Sequence, residues 1–568
     1  MTSPWRGFLA GWVILLTGAL IAPLTQTAGG ITIKDVRFST VDGQTLSALL
    51  YLPPEATTTN KAPGILAVHG YINTREVQSG FAIEFARRGY VVLALDQTGH
   101  GYSDPPAFGA GFGGPAALAY LRSLDVVDVN NIGLEGHSMG GWAVLAAASA
   151  MPDGYKALVL EGSSTGPPFA ADGTPSWPKN VAVVFSTYDE FAQLMWGVAQ
   201  GRQVTSSSKL QAMFGTSSAV QAGKVYGDIL NGTARMLYQP AVTHPGDHIS
   251  HAAIGYSLAW FAQTLTGGNA LPSDDQIWLR KELGTLLALV GFVVLILGSF
   301  QLLLQLNYFQ RLKAPAQTAA YPTRSTRWWA FAVLSAAIPV ATFYVFFGWA
   351  EGWLPPSALL PQGITNQIVF WALANGVIAA VIGLAARNPV SSNQIQLLPS
   401  AAIAIATTAI AYLSVFIVDY LFLVDPRFWI VGVKLLSAVQ FKAALVYLLP
   451  FTAYFLLALR GLHLGLSVDN SGRFTTYFYN ALVLMGGFLF FLLAQYLSLF
   501  TTGSLLTPSE PLNTIVMIQF APLLLIVSII STFAYRRTGS YVTGALINAM
   551  FVTWYIVAGQ ATQFASNS

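Results

Sequence analysis

The chain has no cysteine in its 568 residues. That excludes disulfides, thiol catalysis and cysteine-based zinc sites, and leaves the compartment to be read from topology. Charge is scarce as well. Only 9% of residues are charged and 54% are hydrophobic, against roughly 25% charged in a soluble globular protein, so much of the chain must lie in lipid. Charge of one sign is not in excess. The net charge is +3 and is spread along the sequence, which gives no case for nucleic-acid binding.

What the sequence has in quantity is long apolar runs, and these divide it in three. Gly7 to Thr25 is apolar, follows Arg6, and is long enough to cross a hydrocarbon core of ~30 Å. Gln26-Thr27-Ala28 makes a poor cleavage site, so residues 1–30 are expected to be a retained signal anchor. Residues 31–270 have ordinary composition and read as a soluble domain. Residues 271–568 read as a membrane domain of eight helices, near 284–306, 328–349, 365–386, 398–424, 437–459, 475–500, 512–535 and 541–560.

Lys and Arg collect in cytoplasmic loops. Arg311, Lys313, Arg324 and Arg327 share one loop, Arg387 lies in another, Arg460 and Arg473 in a third, Arg536 and Arg537 in a fourth. These loops alternate and so lie on one side, which puts residues 31–281 on the other, outside the cytoplasm. The loop 425–436, with Arg427 and Lys434, is the exception. Within the block, Asp419 and Lys442 are expected to pair between adjacent helices, and Asn480, Gln495, Gln519 and Asn548 punctuate the apolar runs.

The soluble segment alternates strands with helices. A hairpin is expected about Asp42-Gly43. GILAVHG, YVVLALD, NIGLEG, ALVLEGSS and NVAVVFSTYDE are short apolar runs with the look of buried parallel strands, and FAIEFARRG and GGWAVLAAASA have helical spacing. The fold class is therefore a doubly wound α/β domain joined to an all-α polytopic transmembrane domain. Ligands of such sheets sit at the carboxyl ends of the strands.

There the sequence places Gly136-His137-Ser138-Met139-Gly140, a G-x-S-x-G turn between strand and helix on which a serine hydroxyl is exposed. The backbone N–H groups of Tyr71, after His69-Gly70, and of Met139 are the candidate oxyanion donors. Asp96-Gln97-Thr98-Gly99-His100-Gly101-Tyr102-Ser103 follows the next strand. Strand-HG, then D-x-x-G-H-G-x-S, then G-H-S-M-G-G, in this order and spacing, resembles the α/β-hydrolase superfamily, and its esterase, lipase and dienelactone-hydrolase branches in particular. The resemblance covers about residues 31–266. It implies that Asp96, His100 and His137 support loops, and that an acid and then a histidine follow the nucleophile Ser138.

Asp189 stands where that acid is implied, with Glu190 beside it. For the histidine there are three candidates, His244, His248 and His251. Pro245 biases His244 to an extended conformation and Ser250 is a plausible helix cap that would commit His251 to a helix. His248, left in the loop, is the expected base. The same cluster, with Asp247, could also hold a metal, but a triad needs neither metal nor cofactor, and none is expected. The expected activity is a membrane-anchored serine hydrolase of ester-type substrates, acting on a small-molecule or lipid acyl compound through an acyl-enzyme. A peptidase, amidase or acyltransferase would use the same triad, and a transporter or receptor could keep the fold as a binding module. Only a short loop separates Ser164 from Lys179, so the site is expected to be open or covered by residues 191–233, beginning Phe191-Ala192-Gln193-Leu194-Met195-Trp196.

Overall fold

The structure, a computed structural model, describes residues 4–316, 324–385, 395–466 and 473–564. Helix α1 (Pro4–Gln26) leads into β1 (Thr32–Ser39), which pairs antiparallel with β2 (Thr45–Leu52). The turn between them closes at Thr40 and Gln44, with Gly43 at φ 83°, the positive value that glycine takes without cost. The strands β3 (Ala62–Val68), β4 (Val91–Asp96), β5 (Val127–His137), β6 (Ala157–Glu161), β7 (Val181–Val184) and β8 (Arg235–Tyr238) complete one eight-stranded sheet of order β1-β2-β4-β3-β5-β6-β7-β8. From β4 and β3 to β8 neighbours are parallel, while β2 runs antiparallel to both of its neighbours. The sheet is thus mixed, with a hairpin edge on a parallel core.

Both faces of the sheet are covered, as the nearly continuous apolar strands require. Side chains alternate along β3: Leu66 and Val68 pack under α3 (Gly114–Ser123) and α4 (Met139–Ala150), whereas Ile65 and Ala67 join the opposite core. That second core is formed with α2 (Ser79–Arg87) and α7 (His251–Thr264), in which Phe85 and Phe261 meet edge to face at 5.4 Å. Two short helices, α5 (Ala192–Trp196) and α6 (Ser208–Phe214), lie between β7 and β8. Ser250 does cap α7, accepting from Ala253 N–H, and His251 begins that helix, its ring against Trp278.

The C-terminal block consists of α8 (Trp278–Leu303), α9 (Asn307–Gln310), α10 (Thr326–Ala341), α11 (Phe343–Trp353), α12 (Gly363–Ala385), α13 (Leu397–Phe422), the small pair β9 (Arg427–Phe428) and β10 (Val431–Gly432), α14 (Ala438–Arg460), α15 (Arg473–Thr502), α16 (Pro511–Thr538) and α17 (Tyr541–Gly559). Among the described residues, eight helices, α1 included, are long and apolar enough to cross a membrane, and α10 with α11 makes a ninth if taken as one span bent by 45°. The run near 328–349 was expected to be one helix. Pro339 lies three residues before the bend, and its ring and missing N–H break an α-helix. Helix α8 begins earlier than its apolar run, because the Glu84 carboxylate accepts the N–H groups of Ile277 and Trp278.

Helix α1 packs along α8 on glycines. Gly284, Gly291 and Gly298 recur every seventh residue, and a Cβ on Gly291 would lie 2.2 Å from Leu15 N. Such close backbone approach is how helices gain contact in lipid, where apolar burial gives no driving force.

Basic loops meet at one end of the helical block. Ala314 N–H bonds to Arg537 O and Gln396 bonds to Arg311 O, so these loops meet at the end of the bundle away from the sheet domain. At the near end Thr502 O accepts from Gln200 and Arg202, and Thr562 pairs with Gly99. Arg387 lies outside the described residues. The exceptional loop 425–436 is at the near end, and its charges are buried: Arg427 and Lys434 both reach Glu76 of the sheet domain, at 3.4 and 3.2 Å, and Arg427 also pairs with Asp425. The expected pair Asp419 and Lys442 is not made among the described residues, because α17 packs between α13 and α14 and keeps them from being neighbours.

Candidate active site

Strand β5 ends at His137 and α4 begins at Met139, which leaves Ser138 alone to make the turn. It does so at φ 54°, ψ −121°, a conformation costly for a residue with a Cβ and one that persists only where the surroundings impose it. Two glycines allow it. A Cβ on Gly136 would fall 2.2 Å from Gly140 O, and one on Gly140 would fall 2.1 Å from Val68 O. The packing that forbids side chains on either flank thrusts the Ser138 side chain out, so that it is half-buried between fully buried neighbours and lines a cavity of about 320 Å³.

Tyr71 and Met139 line the same cavity. Met139 is the first residue of α4, so its N–H has no carbonyl one turn back within the helix. Gly70 lies against the turn, its Cβ direction 3.1 Å from Ser138 Cβ, which carries Tyr71 to the serine's side. Behind them Asp96 accepts the N–H groups of Arg75 and Tyr102, His100 bonds to Thr98 O, and His69 Nε2 accepts from Gln97 N–H. Asp96, His100 and His69 therefore brace the loops around the cavity.

On the far wall Asp189 Oδ2 receives His244 Nδ1 at 2.8 Å. His248 does not occupy this place, and the expected choice among the three histidines is corrected here. The reason is strand register. Beyond β7 and β8 the parallel pairing continues as an isolated bridge between Tyr188 and Thr243, so the next residues, Asp189 and His244, fall side by side. Pro245 does not make His244 extended: at φ −51°, ψ −54° it opens the turn Pro245–Ile249, in which a proline at the first position is well placed. That turn carries His248 to the face of His137, with ring centroids 4.0 Å apart. His248 lines the cavity, but neither of its ring nitrogens is bonded among the described residues.

His244 is held at three points. Beyond the Asp189 contact, its N–H donates to Glu190 Oε2 at 2.8 Å and its carbonyl accepts from His137 Nε2 at 3.0 Å. Asp189 Oδ1 in turn accepts Phe191 N–H, and the Phe191 ring packs on the imidazole at 4.6 Å. Burial opposes charge on both partners. It pushes the His244 imidazole down to about 4, against a weaker opposing pull from Asp247, and pushes the Asp189 carboxyl well up, with Asp247 adding to the effect. Glu190 is pushed up to about 8 by burial and then by Asp189. With Nδ1–H given to Asp189, a neutral His244 keeps Nε2 free to accept a proton.

Of the expected cover, Phe191, Leu194 and Met195 line the cavity. The rest of the roof comes from the helical block: Ile430 from the loop after α13, and Leu512, Ile515 and Gln519 from α16. A second link runs through Glu190, whose Oε1 accepts from the phenol of Tyr496 on α15 at 2.9 Å. Neither contribution was foreseen in the sequence, where residues about 290 to 380 positions from Ser138 carry no mark of their destination. For metal, no group of three or more His, Asp and Glu side chains has a suitable arrangement among the described residues.

Comparison with known proteins bears on the sheet domain. Residues 63–225 match the model of the alpha/beta hydrolase fold. The quorum-quenching protein AidA of Acinetobacter baumannii is 35% identical over 130 residues, which cover 20% of this chain and 39% of that relative's length. Among solved structures, the esterase Pf2001 of Pyrococcus furiosus is 16% identical with a TM-score of 0.31, covering 43% of this chain and 95% of its own. A dienelactone hydrolase of Anabaena variabilis is 17% identical with a TM-score of 0.28, covering 42% and 99%. The family match agrees with the mixed sheet and the strained serine turn: residues 63–225 have the alpha/beta hydrolase fold, and the sheet domain is joined to a C-terminal block of helices long and apolar enough to cross a membrane.

Proposed function

We propose that the chain is a membrane-anchored serine hydrolase of carboxylic ester substrates, with Ser138 as nucleophile, His244 as general base and Asp189 as the group that orients it. The observation that carries the reading is that a serine on a strained turn and a histidine bonded to a buried carboxylate face one cavity. Serine is a weak nucleophile until a base takes its proton. Ser138 Oγ bonds to the ester carbonyl carbon while its proton passes to His244 Nε2, and the carbonyl electron pair moves to oxygen. The N–H groups of Tyr71 and Met139 receive that oxyanion. Its collapse breaks the bond to the alcohol, which leaves with the proton from His244, and water then repeats the cycle to release the acid. Asp189 holds the tautomer that makes Nε2 the acceptor.

The hydrolase domain is assigned to the extracytoplasmic side, supported by Arg311, Lys313, Arg536 and Arg537 lying at the bundle's opposite end. The catalytic reading is tested with the purified full-length chain. Wild type should label with a serine-directed fluorophosphonate, and Ser138→Ala should lose both the label and ester turnover, the latter by ~10⁴-fold. Esterase activity that survives in the alanine variant would overturn the assignment.

A further inference from the structure

The wall of the catalytic cavity opposite the sheet is a stripe on one membrane helix. Leu512, Ile515 and Gln519 are spaced three and four residues apart, so they share one face of α16. The helix starts at Pro511, at the end of the bundle that meets the sheet domain, and runs away from it. From Leu512 to Gln519 the stripe therefore descends about 10 Å at 1.5 Å per residue, from the bundle's near surface toward the depth of the apolar spans. Along that descent the lining stays apolar until Gln519, whose Oε1 is engaged by the Tyr555 phenol at 2.7 Å.

The mouth of the cavity is apolar as well. Phe108, Phe169 and Leu194 line it and yet are 38%, 49% and 50% exposed. Large exposed apolar side chains gathered at a cavity rim mark a surface that meets lipid or another apolar partner. Here the rim lies beside the starting turn of a spanning helix, where the headgroup region of a bilayer would be.

We infer that the substrate is an ester of a bilayer lipid, presented from the membrane, with its acyl chain lying along the Leu512, Ile515 and Gln519 face of α16 and its carbonyl at Ser138. The inference rests on Ser138 being the nucleophile. The apolar wall excludes water from the chain, and Gln519 ends the channel and limits chain length. A water-soluble ester with a short acyl group would use the cavity without reaching α16.

The test uses the full-length protein in lipid nanodiscs. Its first readout is the ratio of kcat/KM for a palmitoyl ester to that for an acetyl ester of the same alcohol. Ile515→Trp should lower this ratio at least tenfold; an unchanged ratio would overturn the inference. The second readout needs no variant: a long-chain fluorophosphonate carrying a photoreactive group at its chain end should label Ser138 and then crosslink to residues 511–519. Crosslinks confined to the sheet domain would overturn the inference. Failure of the nucleophile reading looks different, since the probe would then not label Ser138 and Ser138→Ala would still hydrolyse the acetyl ester.

Discussion

The phenol of Tyr496, on a helix of the membrane block, donates to Glu190, whose other oxygen holds the backbone N–H of His244. The membrane block thus reaches the imidazole through one carboxyl group. Removing the phenol leaves a buried oxygen of Glu190 without its partner, at a cost of about 1 kcal/mol or more. Tyr496→Phe should lower kcat/KM for a soluble ester by roughly fivefold, with kcat carrying the loss because the imidazole is mispositioned. Equal steady-state constants for Tyr496→Phe and wild type would mean that the block only anchors the enzyme.

The histidines separate by contact. His244→Ala should match Ser138→Ala, with a fall of ~10⁴-fold, because it removes the ring bonded to Asp189. His248→Ala should retain activity within about tenfold, its ring having packing partners and no bonded nitrogen among the described residues. His251, exposed against Trp278, should tolerate alanine with little change. Steady-state rates of the three variants, normalised to folded protein by circular dichroism, decide the matter; a silent His248→Ala beside an active His244→Ala would reverse it.

The pH profile carries a sign that follows from burial. A general base works in its neutral form, and burial lowers the His244 pKa from 6.5 to about 4. Protonation is resisted, so kcat/KM should hold its plateau from neutral pH down to about 5 and fall with a midpoint near 4. Circular dichroism over the same range separates loss of the base from loss of fold. A midpoint near 6.5 in a protein still folded at that pH would show that His244 is hydrated in the working enzyme.

Sidedness is checked in intact cells. A protease added outside should reach the surface loops of residues 31–277, while an epitope tag inserted after Lys313 stays protected until the membrane is permeabilised. Digestion of the tag from outside would invert the orientation argued from Arg311, Arg536 and Arg537.

Much of this protein was legible without its structure, and the reasons are local. The run from Gly7 to Thr25 and seven of the eight later runs are apolar over enough residues to form helices long enough to cross a membrane, whereas the run near 328–349 is broken after Pro339. The hairpin at Asp42-Gly43 and the turn at Ser138 depend on glycines within a few residues, which the sequence displays directly. Asp189 came from the resemblance, which implies an acid after the next-to-last strand, and its role remains the proposal made above. What tertiary structure decided lies beyond such short range. The partner of Asp189 is His244 because the pairing of β7 and β8 continues to Tyr188 and Thr243, and a parallel register between strands some 50 residues apart leaves no trace in either strand alone. Arg427 and Lys434 pair with Glu76, about 350 residues earlier, a contact that neither stretch announces. The roof of Leu512, Ile515 and Gln519 and the bond from Tyr496 to Glu190 exist only because the helical block packs against the open end of the sheet. Periodicity and turn chemistry belong to neighbouring residues and can be read in order; which surfaces meet is settled by packing across the whole chain.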